Sequence, residues 1–164
     1  MAAGLRLEDE GCVLTDLVWP RWLYQFLTAG ALRFDRLLAH RHTAVIMVKL
    51  RDHLGGRITP RGGVRKRISN VDRDRLRRGA GHAQRILRHA GGERLFTTRM
   101  LATHPGGTAK VGEVVDSDLQ TEIDGLFVCD CSVIPEAWGL PPTLTILALG
   151  QRLAKHLTDG AKVA

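Results

Sequence analysis

The sequence predicts an α+β fold, a mostly antiparallel sheet with helices packed on it. Three observations carry that expectation. The run Thr43-Ala-Val-Ile-Met-Val-Lys-Leu-Arg51 is β-branched and apolar, and turn chemistry follows it at His53-Leu-Gly-Gly56. Ser69-Asn-Val-Asp72 matches a capping box and opens a helical stretch that closes on Gly91-Gly92. A further stretch from Pro142 repeats leucines at helical spacing and stops at Gly160. With 164 residues, 44% of them hydrophobic, the chain is long enough to bury a core of its own. No internal repeat and no linker interrupts it, so one domain is expected.

In chain order, residues 1–18 show no clear period. From Trp19-Pro20 the pattern turns helical, with Trp22, Leu23, Phe26 and Leu27 in a stripe that Leu37-Leu38 continue after Gly30. Such a stripe suits packing against the rest of the protein, and its aromatic content also suits a lipid surface. The strand over 43–51 is expected to pair with a return segment, Arg57-Ile-Thr59. Residues 60–68 are basic, carry Gly62-Gly63 and read as a loop running into an edge strand. Behind Ser69, residues Leu76, Ala80, Ala83, Leu87 and Ala90 share one helical face, and Gly91-Gly92 suits a left-handed end. Arg94–Leu101 reads as a short strand or extended segment. His104–Gly112 is a Gly-rich loop, Leu126-Phe-Val-Cys129 a buried strand, and Pro135–Pro142 a second loop. The last helix is apolar at Leu144, Leu147, Leu149, Leu153, Ala154 and Leu157.

The net charge is +7, from 24 basic and 17 acidic residues. The arginines between Arg51 and Arg99 are spread over several predicted elements, with Asp72, Asp74 and Glu93 among them. That pattern reads as a solvated face, and without a nucleic-acid motif no nucleic-acid partner is expected. Three cysteines exclude a disulfide framework. Cys129-x-Cys131 has no second Cys or His pair at zinc-finger spacing, so free thiols in a reducing compartment are expected and no metal. Glu8, Asp9 and Glu10 stand where a signal peptide needs apolar residues. No run of about 18 apolar residues occurs, so the expectation is a soluble, cytoplasmic chain with no transmembrane segment.

Two cofactor motifs are excluded by their own chemistry. Gly107-Thr-Ala-Lys-Val-Gly112 has the Gly-x4-Gly spacing of a phosphate loop, but Glu113-Val114 replace the Lys-Ser/Thr that must meet phosphate and magnesium. No Gly-x-Gly-x-x-Gly occurs, so a free-standing dinucleotide fold has no support. Seven histidines are present, and taken one at a time none stands out from an ordinary loop histidine.

The order of motifs changes that. His104-Pro-Gly-Gly-Thr-Ala-Lys-Val-Gly112 is followed by Val114-Val-Asp116, then Leu126-Phe-Val-Cys-Asp130-Cys-Ser-Val-Ile-Pro135, then Gly139-Leu-Pro-Pro-Thr-Leu-Thr145-Ile. This set resembles the C-terminal signature of the glucose-methanol-choline (GMC) oxidoreductases, which use FAD to oxidise alcohols. The resemblance is strong over about residues 99–158 and weaker over 43–98. It implies that 1–164 is the C-terminal portion of such an enzyme, a substrate domain plus active-site segment, with the N-terminal FAD-binding Rossmann portion absent. The final strand and helix would then belong to the FAD-binding half.

The resemblance also implies roles. His104 matches the family's active-site histidine, which accepts the substrate hydroxyl proton while hydride passes to flavin N5; an imidazole titrates near neutrality and suits that work. Asp130 would bind the ribityl hydroxyls, and the backbone N–H of Cys131 would reach the pyrophosphate. The helix start at Pro142, with the N–H groups of Thr143 and Leu144, would face flavin N1 and the C2 carbonyl and stabilise negative charge there. Partners implied are an alcohol substrate and a FAD-binding chain or a homo-oligomer. One position departs: Pro141 stands where the family has Asn or His, and proline neither donates nor accepts through its side chain. Pro141 and the missing Gly-rich turn favour an alternative, a non-catalytic remnant or interaction module that keeps the fold.

Overall fold

The structure, a computed structural model, describes residues 4–102 and 104–160. In chain order it forms strands β1 (Gly4–Leu7) and β2 (Cys12–Asp16), helix α1 (Arg21–Gly30), strands β3 (Ile46–Leu50), β4 (Arg57–Ile58) and β5 (Val64–Arg65), and helices α2 (Asn70–His89) and α3 (Thr143–Gly160). Short 3-10 turns lie at Phe34–Arg36, His40–His42 and Cys131–Val133. Helices and antiparallel sheets make the α+β class expected from the sequence. The chain divides into two compact units: Met1–Arg51 with Ser69–Leu101, and Asp52–Ile68 with Ala102–Ala164.

The first unit is built on a three-stranded sheet of order β1-β2-β3, antiparallel throughout. β2 is the central strand, with Leu14 opposite Leu5 on one side and Val48 on the other. Cys12 and Leu14 alternate toward one face and are buried. α2 covers the sheet and comes closest at Gly79. A Cβ there would stand 2.8 Å from Val48 Cγ1 and 3.1 Å from Cys12 Sγ, so the missing side chain sets the helix-to-sheet distance. The capping reading holds: Ser69 Oγ accepts the Asp72 N–H at 3.0 Å. Behind the helix, Gly91 has φ 83°, as a left-handed end requires. Ser69→Ala should lower stability by about 1 kcal/mol, seen as a shifted urea midpoint with unchanged slope.

The expected pairing of this sheet needs correction. The strand over 43–51 does not pair with Arg57–Thr59; its partner is β2. β3 is apolar but for Lys49 and half-buried throughout, and the five-residue β2 pairs with it over its whole length. Arg57-Ile58, which belongs to the second unit, is a two-residue exposed strand paired with β5, and β5 lies in the 60–68 stretch read as a loop running into an edge strand. The N-terminal hairpin had no visible period because Thr15 and Asp16 break the alternation of β2. Its signal was the turn at Glu10-Gly11, where Gly11 takes φ 59°.

α1 corrects the apolar stripe. Its buried face is Tyr24, Leu27 and Thr28, whereas Trp22 and Phe26 are exposed and Leu23 is half-buried. Polar tips decide this. The Tyr24 hydroxyl donates to the Arg36 carbonyl at 2.8 Å and lies 3.1 Å from Thr43 Oγ1, and Gln25 Nε2 donates to the Leu37 carbonyl at 3.3 Å. Those bonds fold the two 3-10 turns back onto α1 in place of a continued helix.

In the second unit the core is Val115, Leu119 and Val133, with Val111, Val128, Cys129, Leu149 and Leu153 packed on it. The expected strand over Leu126–Cys129 is reduced to one bridge, Phe127 with Gln120. The segment before it turns too tightly for a ladder: Val115 bridges both Val111 and Thr121, and Leu119 sits at φ 68°. Leu149 and Leu153 attach α3 to the core, while Leu144, Leu147 and Leu157 are exposed. Among the described residues no helix is long and apolar enough to cross a membrane.

Candidate active site

Pro105, Gly106 and Gly107 keep the segment after His104 out of regular structure, and Gly107 takes φ 77°, a conformation glycine adopts freely. The loop then runs beside the turn at 131–134. The Ala109 N–H donates to the Ser132 carbonyl and the Val111 N–H to the Val133 carbonyl, both at 3.0 Å. Contact is tightest at Gly106, where a Cβ would lie 2.9 Å from the Cys131 carbonyl oxygen. Exposed His104 is two residues upstream of this approach, so the fold brings its loop against the Asp130–Ile134 segment.

Asp130 begins that segment as the cap of the 3-10 turn. Its Oδ1 accepts the Ser132 N–H at 2.7 Å. Hydrogen bonds from the Ser132 side chain and then from its backbone hold the Asp130 carboxyl below the usual carboxylate range. Asp130 is exposed, so at neutral pH it presents a fixed, ionised acceptor to solvent. Cys131 is half-buried beside it.

The start of α3 is the third piece. Its first helical bond runs from the Ile146 N–H to the Pro142 carbonyl at 2.9 Å. The N–H groups of Thr143 and Leu144 precede that bond and point out of the helix end, and Pro141 and Pro142 have none. Pro142 is buried and Pro141 half-buried, whereas Thr143 and Leu144 are exposed. α3 reaches the rest of the site through the core, since Leu149 and Leu153 pack on the cluster that holds Val133. The nominated residues thus lie in one unit: the His104 loop and the Asp130 turn are joined by hydrogen bonds, and the α3 start is tied to them through shared packing.

Sequence reasoning missed two contributors. Gly106 acts by close approach, and the Gly106-Gly107 doublet was its signal. Ser132 fixes the Asp130 carboxylate, a local turn bond that Asp-x-Ser spacing favours. Among the described residues no group of three or more His, Cys, Asp or Glu could hold a metal ion. Gly106→Ala should push the loop off the turn at a cost of about 1–3 kcal/mol. Amide exchange at Ala109 and Val111 should then rise by about tenfold or more. Gly150→Ala, where an added Cβ meets nothing within 4 Å, should leave exchange at both positions unchanged.

Residues 48–150, more than half of the chain, match the family described as GMC oxidoreductase. An uncharacterized protein of Methanocaldococcus jannaschii is 34% identical, over 68% of this chain and 29% of its own length. Long-chain-alcohol oxidase FAO3 of Arabidopsis thaliana is 24% identical, over 81% of this chain and 24% of its own length. An uncharacterized GMC-type oxidoreductase of Sinorhizobium fredii, y4nJ, is 42% identical over 37% of this chain and 12% of its own length. The chain therefore spans less than a third of the length of the curated relatives it matches. No solved structure matches it significantly.

Proposed function

This chain belongs to the GMC oxidoreductase family, and from that premise we propose that it forms the substrate domain and active-site segment of a FAD-dependent enzyme oxidising the CH–OH group of an alcohol. The observation that carries the reading is the tie between the His104 loop and the Asp130–Ile134 turn, which groups the family's motif residues in one unit. Relatives named as long-chain-alcohol oxidases support an alcohol as the donor. The remainder of the enzyme is a FAD-binding portion, on a longer polypeptide or on a separate chain, with a homo-oligomer as the other possible assembly. This reading puts the protein in the cytoplasm, where Cys12, Cys129 and Cys131 stay as free thiols.

The residues present suit such a cofactor chemically. Asp130 is exposed and ionised, and so accepts hydroxyl protons of a polyol chain. The outward N–H groups of Thr143 and Leu144, at the positive end of the α3 dipole, suit partial negative charge. Gly106 leaves the backbone around Cys131 without an intervening side chain, and the Cys131 N–H is assigned to a phosphate. Bound FAD would supply the hydride acceptor. A ring nitrogen of His104 takes the substrate hydroxyl proton as alkoxide character develops. The Pro141 side chain offers that hydroxyl no hydrogen bond, so the reading assigns the proton to His104 and no role to position 141.

The test is flavin retention. The purified chain is passed over a sizing column with FAD, alone and with a FAD-binding Rossmann polypeptide of the family. Flavin absorbance should travel with the chain in at least the second preparation. If neither retains flavin, the reading fails. Pro141 favours the second reading, a non-catalytic interaction module; flavin retention with alcohol turnover would exclude it.

A further inference from the structure

We propose that α1 and the turns after it form an interfacial anchor for an anionic lipid surface; this does not rest on the reaction above. In one short segment of the first unit, six large apolar side chains stand in solvent: Val18 at 87% exposure, Trp22 at 69%, Phe26 at 70%, Leu32 at 72%, Phe34 at 63% and Leu38 at 82%. Trp22 and Phe26 lie one turn apart on the outer face of α1. That face is outward because the opposite one is committed. Tyr24, Leu27 and Thr28 are buried, and the Tyr24 hydroxyl is bonded to the Arg36 carbonyl beside Thr43. The helix cannot turn Trp22 inward without breaking those bonds.

Charge selects the occupant. Between positions 18 and 42 the chain carries four arginines, Arg21, Arg33, Arg36 and Arg41, and a single carboxylate, Asp35. Asp35 binds both Arg33 and Arg36, at 2.9 and 3.1 Å, and holds them in place beside Phe34. Aromatic rings settle at the boundary between headgroups and acyl chains, and with Arg33 and Arg36 taken by Asp35 the exposed forks of Arg21 and Arg41 fit lipid phosphates. A second copy would bring the same cations face to face. A nucleic acid would engage the arginines and leave Val18, Leu32 and Leu38 in water. α1 has ten residues, too few to span a bilayer, so it would lie in the interface plane.

The test is co-sedimentation of the chain with phosphatidylcholine vesicles, pure or with about one-third phosphatidylserine. The anionic vesicles should carry the chain down, and the pure vesicles far less. Salt should weaken the binding. The double variant Trp22→Ala/Phe26→Ala should bind about tenfold or more weakly. Val71→Ala, at an exposed apolar site on α2, should bind like the parent. Both variants alter exposed side chains, and circular dichroism checks that each is folded. Absence of the chain from the anionic pellet overturns the proposal, as does equal binding by the double variant or equal binding to both vesicle types. If the double variant instead abolishes self-association, the face belongs to a second copy. If adding the FAD-binding polypeptide abolishes vesicle binding, that portion covers the face. Either result also overturns the anchor.

Discussion

Replacing His104 with alanine should lower kcat for alcohol oxidation by the flavin-reconstituted protein by about 10²–10⁴-fold. The size follows from the work assigned to one imidazole. A positioned base lowers the barrier only in the transition state, where the hydroxyl proton is in flight, so kcat should fall and KM change little. Flavin retention should not change, because Asp130, Cys131 and the α3 start are untouched. Added imidazole should restore part of the rate. His89→Ala, at the exposed end of α2 in the other unit, is the control and should be silent. Full activity in the His104 variant would remove the histidine from the mechanism and leave the family assignment standing.

Gly79→Leu should be the most destabilising single substitution in the first unit. Even a Cβ at this position would press on Val48 Cγ1 at 2.8 Å and on the Cys12 sulfur at 3.1 Å. Val48 is β-branched and Cys12 is fully buried, so neither has a long side chain that can swing aside. Overpacking of this kind costs about 1–3 kcal/mol and occasionally more. The better helix propensity of leucine returns less than about 1 kcal/mol. A net loss of about 1–2 kcal/mol lowers Tm by roughly 2–8 °C in a protein of this size. Gly81→Leu is the comparison: no atom lies within 4 Å of its added Cβ, and it should be neutral or stabilising. Equal melting of the two variants would mean that the helix does not rest on Gly79.

The α+β class, the Ser69 cap and the Gly-rich loop after His104 were legible because each depends on neighbours in sequence. Ser69 needs only the Asp72 N–H, and Pro105-Gly106-Gly107 can build nothing regular. What was not legible depends on distant partners. β3 could not announce that it pairs with β2, thirty-odd residues upstream, in preference to the nearer Arg57-Ile58. The stripe on α1 could not reveal that Tyr24 would be drawn inward by the Arg36 carbonyl and Thr43, leaving Trp22 outside. In the candidate site, motif order nominated His104, Asp130 and the Pro142 helix start. The bonds from Ala109 and Val111 that join the first two were invisible, because backbone donors carry no sequence signature.

The two compact units are interleaved along the chain: the first takes Met1–Arg51 and Ser69–Leu101, the second Asp52–Ile68 and everything from Ala102. This matters for synthesis on the ribosome. At about 5–20 residues per second, the β4–β5 hairpin emerges several seconds before the C-terminal segment of its unit exists. Through that interval the first unit can complete its sheet and close α2 over it, carrying the hairpin as an unfinished side loop. A nascent chain stalled once Leu101 has cleared the ribosome should therefore already protect the Gly79 contact from proteolysis, while Arg57–Arg65 remains open to cleavage.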